Sequence, residues 1–486
     1  MPAYELFAFT EEFFFNALSS KHCSPEFISQ HNAIAQYIAR YLGAIGTTYM
    51  LIEHDYVDAD YLDDHSVFYV KCFQHYTNRT KRLHFFAGPV PSNEEFERLV
   101  TTAGEDSRHQ LQEAYLGFVV ARPLPAAVVG RTVLRTYPDD HARRQYPATK
   151  NYKVNLFGIR LNVCSLAFQQ QDRALAACAT VALWSCFHKT SELYSTTSPT
   201  PGSITRTASI VVSGRPIPSQ GLEFHQMCEA VRAVGLDPEV YKPQYGLPFA
   251  SLIYSYLKMG QPVILGIHIE GVGAHAITVS GYSMTTTRSL ALEAGFGQQQ
   301  VIPFKGEWIN ELYVHDDQTG PFARLALNEP EDQPDPNKPK ETVKLVCDRW
   351  AHPDGTSRDI RAFAVLIPTT STIRIGFTDI AEFAKKFSAL FMANEIAGLV
   401  WDIYISESNS YKADIRERPD SEVPSLKNVL FMTHPRYIWV SRLDSPTGMK
   451  LEVLHDATNV HGAIAAYVIR WGDANLRTAL RERLEQ

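Results

Sequence analysis

Along the chain, stretches with apolar residues three or four positions apart alternate with runs in which every residue or every second residue is apolar, which predicts interleaved helices and strands. Near the N-terminus, Ser24 and Pro25 open a periodic run through Ile28, Ile34, Ile38 and Leu42 that suits an amphipathic helix. Tyr49 to Ile52, Val67 to Phe73 and Arg82 to Phe86 read as β-rich stretches. Ser92 and Glu95 have the spacing of a capping box and predict a short helix. Residues 115–125 read as a strand stopped by prolines, and a basic, breaker-rich loop follows near Pro138 to Pro147. The acidic stretch 54–65, HDYVDADYLDDH, is expected to be a solvated loop or helix.

Further on, a strand is expected to end near Ser165, and Ala174 to Phe187 has a strongly helix-forming composition. The Ser/Thr/Pro/Gly-rich residues 190–220 read as loop. Helices are predicted over 221–236 and from Pro248 to Lys258, and strands over 263–269, 274–282 and 311–317. Residues 328–342 hold four prolines and many charges, a composition for a linker or long exposed loop. Beyond them, IRIGF (373–377), LVWDIYI (399–405) and RYIWVSRL (436–443) predict strands, and Asp379 to Leu390 and Asp473 to Leu484 predict helices. The pattern describes an α+β chain in three parts: an α+β domain over 1–160, a middle domain over 161–327, and after the 328–342 linker an α+β domain over 343–486.

Composition narrows the function classes. At 486 residues, 45% hydrophobic and 20% charged, the chain belongs with globular proteins. Lys and Arg number 46 against 53 Asp and Glu, a net charge of −7, so binding nucleic acid through bulk charge is not expected. Seven cysteines without a CxxC pair argue against a disulfide scaffold and a zinc knuckle. The first residues carry Glu5, Glu11 and Glu12 and no basic leader, and no apolar run is long enough to span a bilayer. The expectation is a cytoplasmic protein without a membrane segment, in which a functional cysteine is a nucleophile rather than half of a bridge.

The chemistry concentrates in the middle part. Cys178 stands where the helical pattern begins, and a thiol in a first helical turn feels the positive end of the dipole. Gln169, Gln170 and Gln171 precede it by seven to nine residues, and an amide there is placed to stabilise an oxyanion formed at the cysteine. His275 starts an apolar strand and suits a general base. Asp316 and Asp317 end a later strand and suit the carboxylate that orients such a histidine.

The ordered set Gln171, Cys178, His275-Ala-Ile-Thr-Val-Ser-Gly-Tyr282 and Asp316 with Gly320, together with GLEFHQMCEAVRAVGL (221–236) and the Gly-Gln-Pro-Val strand before the histidine, resembles the papain-like cysteine peptidases, in particular the bacterial bacteriocin-leader peptidases. The likeness covers residues 165–325. The sequence departs from that family at Ala179, where a glycine is usual, and in the spacing of the glutamine. The resemblance implies a papain-like core, a helix bundle followed by an antiparallel sheet, between mixed α/β flanks. It also implies a Cys178–His275–Asp316 triad with Gln171 as oxyanion donor, no metal and no cofactor. Asp317 is the alternative third member and Gln170 the alternative donor. The implied substrate is a protein or peptide. A regulatory protein partner is a further expectation for the flanks, and no nucleic acid or membrane partner is expected. The same triad serves acyltransferases and amidases, and an inactive scaffold used for interaction is the remaining alternative.

Overall fold

The computed structural model describes residues 4–485 apart from 103, 142, 173, 175–176, 210–220, 244–246, 286–301, 328–343, 348–349, 351–357, 390–397, 419–425, 461–462 and 472–473. The expected linker at 328–342 lies outside the described residues. The architecture is α+β, and every strand pairing within its four sheets is antiparallel.

The first sheet has five strands in the order Tyr4–Ala8, Tyr49–Tyr56, Thr80–Phe86, Tyr115–Ala121 and Val129–Leu134. Against it pack Glu11–Leu18, Pro25–His31 and Ala33–Ala44, whose apolar stripes bury Phe14, Leu18, Ile28, Ile38 and Leu42. The periodic run after Ser24 is two helices rather than one. Asn32 breaks it, because its side chain accepts from the Ala35 N–H and caps the second helix. Val67 to Phe73 is not a strand: it holds the end of helix Ala59–Val67 and a 3-10 turn, Tyr69–Lys71. The acidic stretch before it is not solvated. Asp58 caps that helix, and Asp58, Asp60 and Asp64 are buried, with Arg131 bonded to Asp58 at 2.6 Å.

The second sheet positions the site. Six strands, Val263–Ile269, Gly273–Met284, Ile309–Asp316, Gly320–Leu327, Lys344–Val346 and Ile360–Thr369, follow one another, and the last pairs back onto the first. They form a closed ring, with Asp237–Tyr241 added beside Ile360–Thr369 and Arg144–Gln145 beside Gly273–Met284. The boundary expected at 343 does not coincide with this sheet, since its last two strands lie beyond it. Closure is the reason: without them Val263–Ile269 and Gly320–Leu327 would present unpaired edges. IRIGF is not a strand but the approach to helix Phe377–Ser388, and the loop expected over 190–220 contains helix Pro201–Ala208, capped by Thr200.

A four-stranded sheet, Val400–Glu407, Tyr437–Ser445, Gly448–Asp456 and Ile464–Ile469, closes the chain. One apolar core runs from the barrel into this sheet through Leu252, Val279, Val365, Phe377, Trp401 and Trp439. The seam carries a buried charge: Asp402 accepts from Tyr254 Oη, and the Lys258 and Lys305 ammonium groups sit at 2.9 and 3.1 Å. Burial opposes the charge on Asp402, but the two ammonium groups outweigh it and hold the carboxyl well below the usual range. Among the described residues no helix is long and apolar enough to cross a membrane.

The first sheet's helices reach the barrel at Gly320, which pairs with Asp316. Gly320 has φ +153°, and a Cβ there would lie 2.1 Å from Tyr37 Cδ1 on helix Ala33–Ala44. Gly320→Ala is expected to destabilise the protein by about 1–3 kcal/mol through strain and overpacking, read as a lower denaturant midpoint.

Candidate active site

Cys178 opens helix Cys178–Tyr194, and its thiol is half-exposed and unbridged. Ala177 ahead of it is extended and provides no side-chain cap, and no acid lies in the first turn. The helix thus supplies neither a capping side chain nor a first-turn acid between its positive end and the sulfur. The helix is apolar around most of its surface, with Val181, Leu183, Trp184, Cys186 and Phe187 all buried, so it sits rigidly inside the fold. Cys186 is a packing residue, its thiol pushed far up by burial.

His275 lies near the start of strand Gly273–Met284, opposite Ile267. Three residues on, Thr278 Oγ1 donates to the Ala182 carbonyl at 2.8 Å, fixing this strand to the cysteine helix. His275 is 4% exposed. Its Nε2 bonds Asp316 Oδ1 at 2.9 Å and lies 3.6 Å from Asp317 Oδ1. The ring is therefore held by Asp316 and not by Asp317. Nδ1 has no full hydrogen bond within the protein, and the Cys178 thiol stands close enough to act on the ring as a hydrogen-bond partner. Burial works against the imidazolium, but Asp316, the thiol and Asp317 outweigh it and raise the His275 pKa well above the ordinary value.

Asp316 is saturated with donors. Oδ1 accepts from His275 and the Gln318 N–H, and Oδ2 accepts from Thr319 Oγ1 at 2.8 Å and Trp350 Nε1 at 3.0 Å. Burial raises its pKa, but the imidazolium and these bonds prevail and lower it. His275, Asp316 and Asp317 could bring one ligand atom each within 4.8 Å of one another, a metal-like spacing. The donor set does not suit a cation, because four N–H or O–H donors occupy the lone pairs of Asp316.

Asp317 is the reverse case. It is 2% exposed, and neither oxygen has a hydrogen-bond partner. Burial is the main cause that lifts its pKa, to about 7; His275 opposes this and Asp316 adds to it.

The three glutamines separate. Gln170 Oε1 accepts from the Val129 N–H and from Asn32 Nδ2, and its backbone bonds Val129 and Arg122, so this residue anchors a chain segment. Gln169 is buried with an unpartnered Nε2. Gln171 is half-buried and lines a cavity together with Asp317 and Gln318. Two participants escape a reading of the sequence. Trp350 lies in a stretch read as part of a separate domain, yet its ring packs edge-on against His275 with centroids 5.7 Å apart while its N–H reaches Asp316. Part of the cavity wall comes from the first block, where Phe27, Phe68 and Tyr69 carried no catalytic pattern. No known family model matches the chain, and no curated protein sequence matches it.

Two outcomes follow from these bonds. Trp350→Phe keeps an aromatic ring, though a smaller one, and deprives Asp316 of a donor, and unfolding in denaturant should show a loss of at least about 1.5 kcal/mol. The folded-state pKa of Asp317 lies above its ordinary value, so its contribution is full below about pH 4 and is lost as pH rises through about 7. Asp317→Asn should remove that part of the decline and exceed the wild type in stability above pH 7.

Proposed function

We propose that the protein is a thiol hydrolase, a cysteine peptidase with a papain-like core. The observation that carries this reading is the half-exposed Cys178 at a helix start with no capping side chain or first-turn acid, beside an imidazole whose other nitrogen is fixed by a buried carboxylate. The buried Cys178 helix, pinned to the strand that carries His275, supports this reading.

In this reaction the Cys178 thiolate attacks the carbonyl of a peptide or isopeptide bond, while His275 is held as imidazolium by Asp316. The Cys178 backbone N–H and the Gln171 amide stabilise the oxyanion. His275 Nδ1 then donates its proton to the leaving amine as the C–N bond breaks. In the second half His275 takes a proton from water, which attacks the thioester and releases the acid and the Cys178 sulfur. Trp350 packs edge-on against His275 and donates to Asp316, steadying the pair through the reaction.

Iodoacetamide at mildly acidic pH should alkylate Cys178 faster than the other six cysteines, with buried Cys186 the slow internal reference. Alkylation no faster than at those six would instead favour a catalytically inactive scaffold. Cys178→Ser should lower hydrolysis of a general peptide substrate by more than about 10³-fold, and full retention would refute the assignment.

The pH profile has a definite sign. The raised pKa of His275 keeps the imidazolium, and the ion pair it supports, intact above the ordinary imidazole range; both are lost as pH rises through the folded value. The basic limb of kcat/KM should therefore lie above about pH 6.5. Asp316→Asn should move that limb downward.

A further inference from the structure

A cavity of about 490 Å³, within the size range of ligand sites, is lined by Asp317, which lies 3.6 Å from the His275 ring. One side is aromatic, with Phe27 and Phe68 and the phenols of Tyr69 and Tyr76. Two carboxylates also line it, Asp172 and Asp317, and no lysine or arginine occurs among its lining residues. Arg122 stands behind the wall, with its guanidinium on the Ala127 and Gln170 carbonyls. Asp172 has partners in the protein, taking the Tyr69 hydroxyl and the Ala174 N–H.

Asp317 is what distinguishes this cavity from an apolar slot. A carboxyl 2% exposed with neither oxygen hydrogen-bonded is costly to leave so. Asp316 next to it takes four donors, so the chain had the means to satisfy such a group and did not do so here. A purely apolar guest would bring Asp317 no hydrogen-bond donor and leave it with only the His275 ring, 3.6 Å away. A guest with a positively charged donor would satisfy the carboxylate, and its methylene stem would lie on the aromatic rings, which also attract a cation.

We propose that this cavity receives a lysine or arginine side chain of the peptide substrate, its charged end held by Asp317 and Asp172 and its stem against Phe27, Phe68, Tyr69 and Tyr76. The proposal rests on the thiol-hydrolase reading for the guest being part of a peptide, and it places a basic residue beside the bond that Cys178 attacks.

The test uses the full-length Cys178→Ala protein, so binding is measured without reaction. Blocked Ala-Xaa-Gly-Ala peptides carrying lysine, norleucine or glutamate at Xaa are titrated in a calorimeter at pH 7.5. Lysine should bind at least about tenfold tighter than norleucine, a difference of about 1.4 kcal/mol, with glutamate weaker than both. Adding Asp317→Asn should bring the lysine-to-norleucine ratio close to one, and Asp172→Asn should reduce it. Norleucine binding as tightly as lysine overturns the proposal, as does a ratio that survives both aspartate substitutions or the absence of binding by any of the three peptides at millimolar concentration. The thiol reading fails separately: slow iodoacetamide labelling of wild-type Cys178 counts against catalysis and leaves the binding ratio to decide the cavity.

Discussion

A buried charge pair, His275 with Asp316, is the constraint around which the centre of the molecule is arranged. Two opposite charges taken from water lose more in solvation than they regain from each other unless the remaining polar capacity is filled. The fold fills it with four donors on Asp316, from His275, from the turn residues Gln318 and Thr319, and from Trp350. Trp350 belongs to the segment between Lys344–Val346 and Ile360–Thr369, the two strands that close the barrel. Closing the sheet and supplying the fourth donor to Asp316 are thus accomplished by the same length of chain. The pin from Thr278 to Ala182 then sets where Cys178 stands relative to the ring, because a strand and a buried helix move as rigid pieces.

The first and last thirds of the chain are not independent attachments. Tyr49, Phe86 and Tyr115 share a core with Trp184 and Phe187 of the cysteine helix, and Trp401 and Trp439 share another with the barrel. The acids of helix Ala59–Val67 turn inward, where Arg131 meets Asp58 and Asp60, instead of facing solvent. Helices Pro25–His31 and Ala33–Ala44 come up against the turn after Asp316 through Tyr37 and supply part of the cavity wall. A displacement of the first block would change both the cavity and the turn that supports the Asp316 carboxylate, so the two depend on the same packing.

The parts of this arrangement legible in the sequence are those encoded by neighbours in the chain. Ser92 and Glu95 cap their helix as spaced, the apolar runs at 263–269 and 274–282 give two paired strands, and the helix-forming run after Ala174 gives the Cys178 helix. Cys178, His275 and Asp316 were readable as an ordered set because each sits at the end of such an element. Contacts set by the tertiary fold left no such mark. Asn32 interrupts an unbroken apolar period with one side-chain bond, and the acids at 58, 60 and 64 look solvated until Arg131 and the surrounding helices are in place. Trp350 is separated from Asp316 by a proline-rich stretch whose composition suggests a boundary, and a single indole carries no periodic signal.

Asp316 and Asp317 show how far identity alone falls short of function. Both are aspartates at the end of one strand, both are nearly fully buried, and both lie within 4 Å of the same ring nitrogen. Their surroundings separate them. Four donors, the imidazolium among them, keep the first ionised, while burial lifts the second toward neutrality. On the proposed reading the pair carries two tasks, with the ionised member holding the histidine and the other receiving the guest. Exchanging the two environments would reverse those tasks without changing a residue, so the division of labour belongs to the turn after Asp316, where Gln318 and Thr319 aim their donors at one side chain and not at its neighbour.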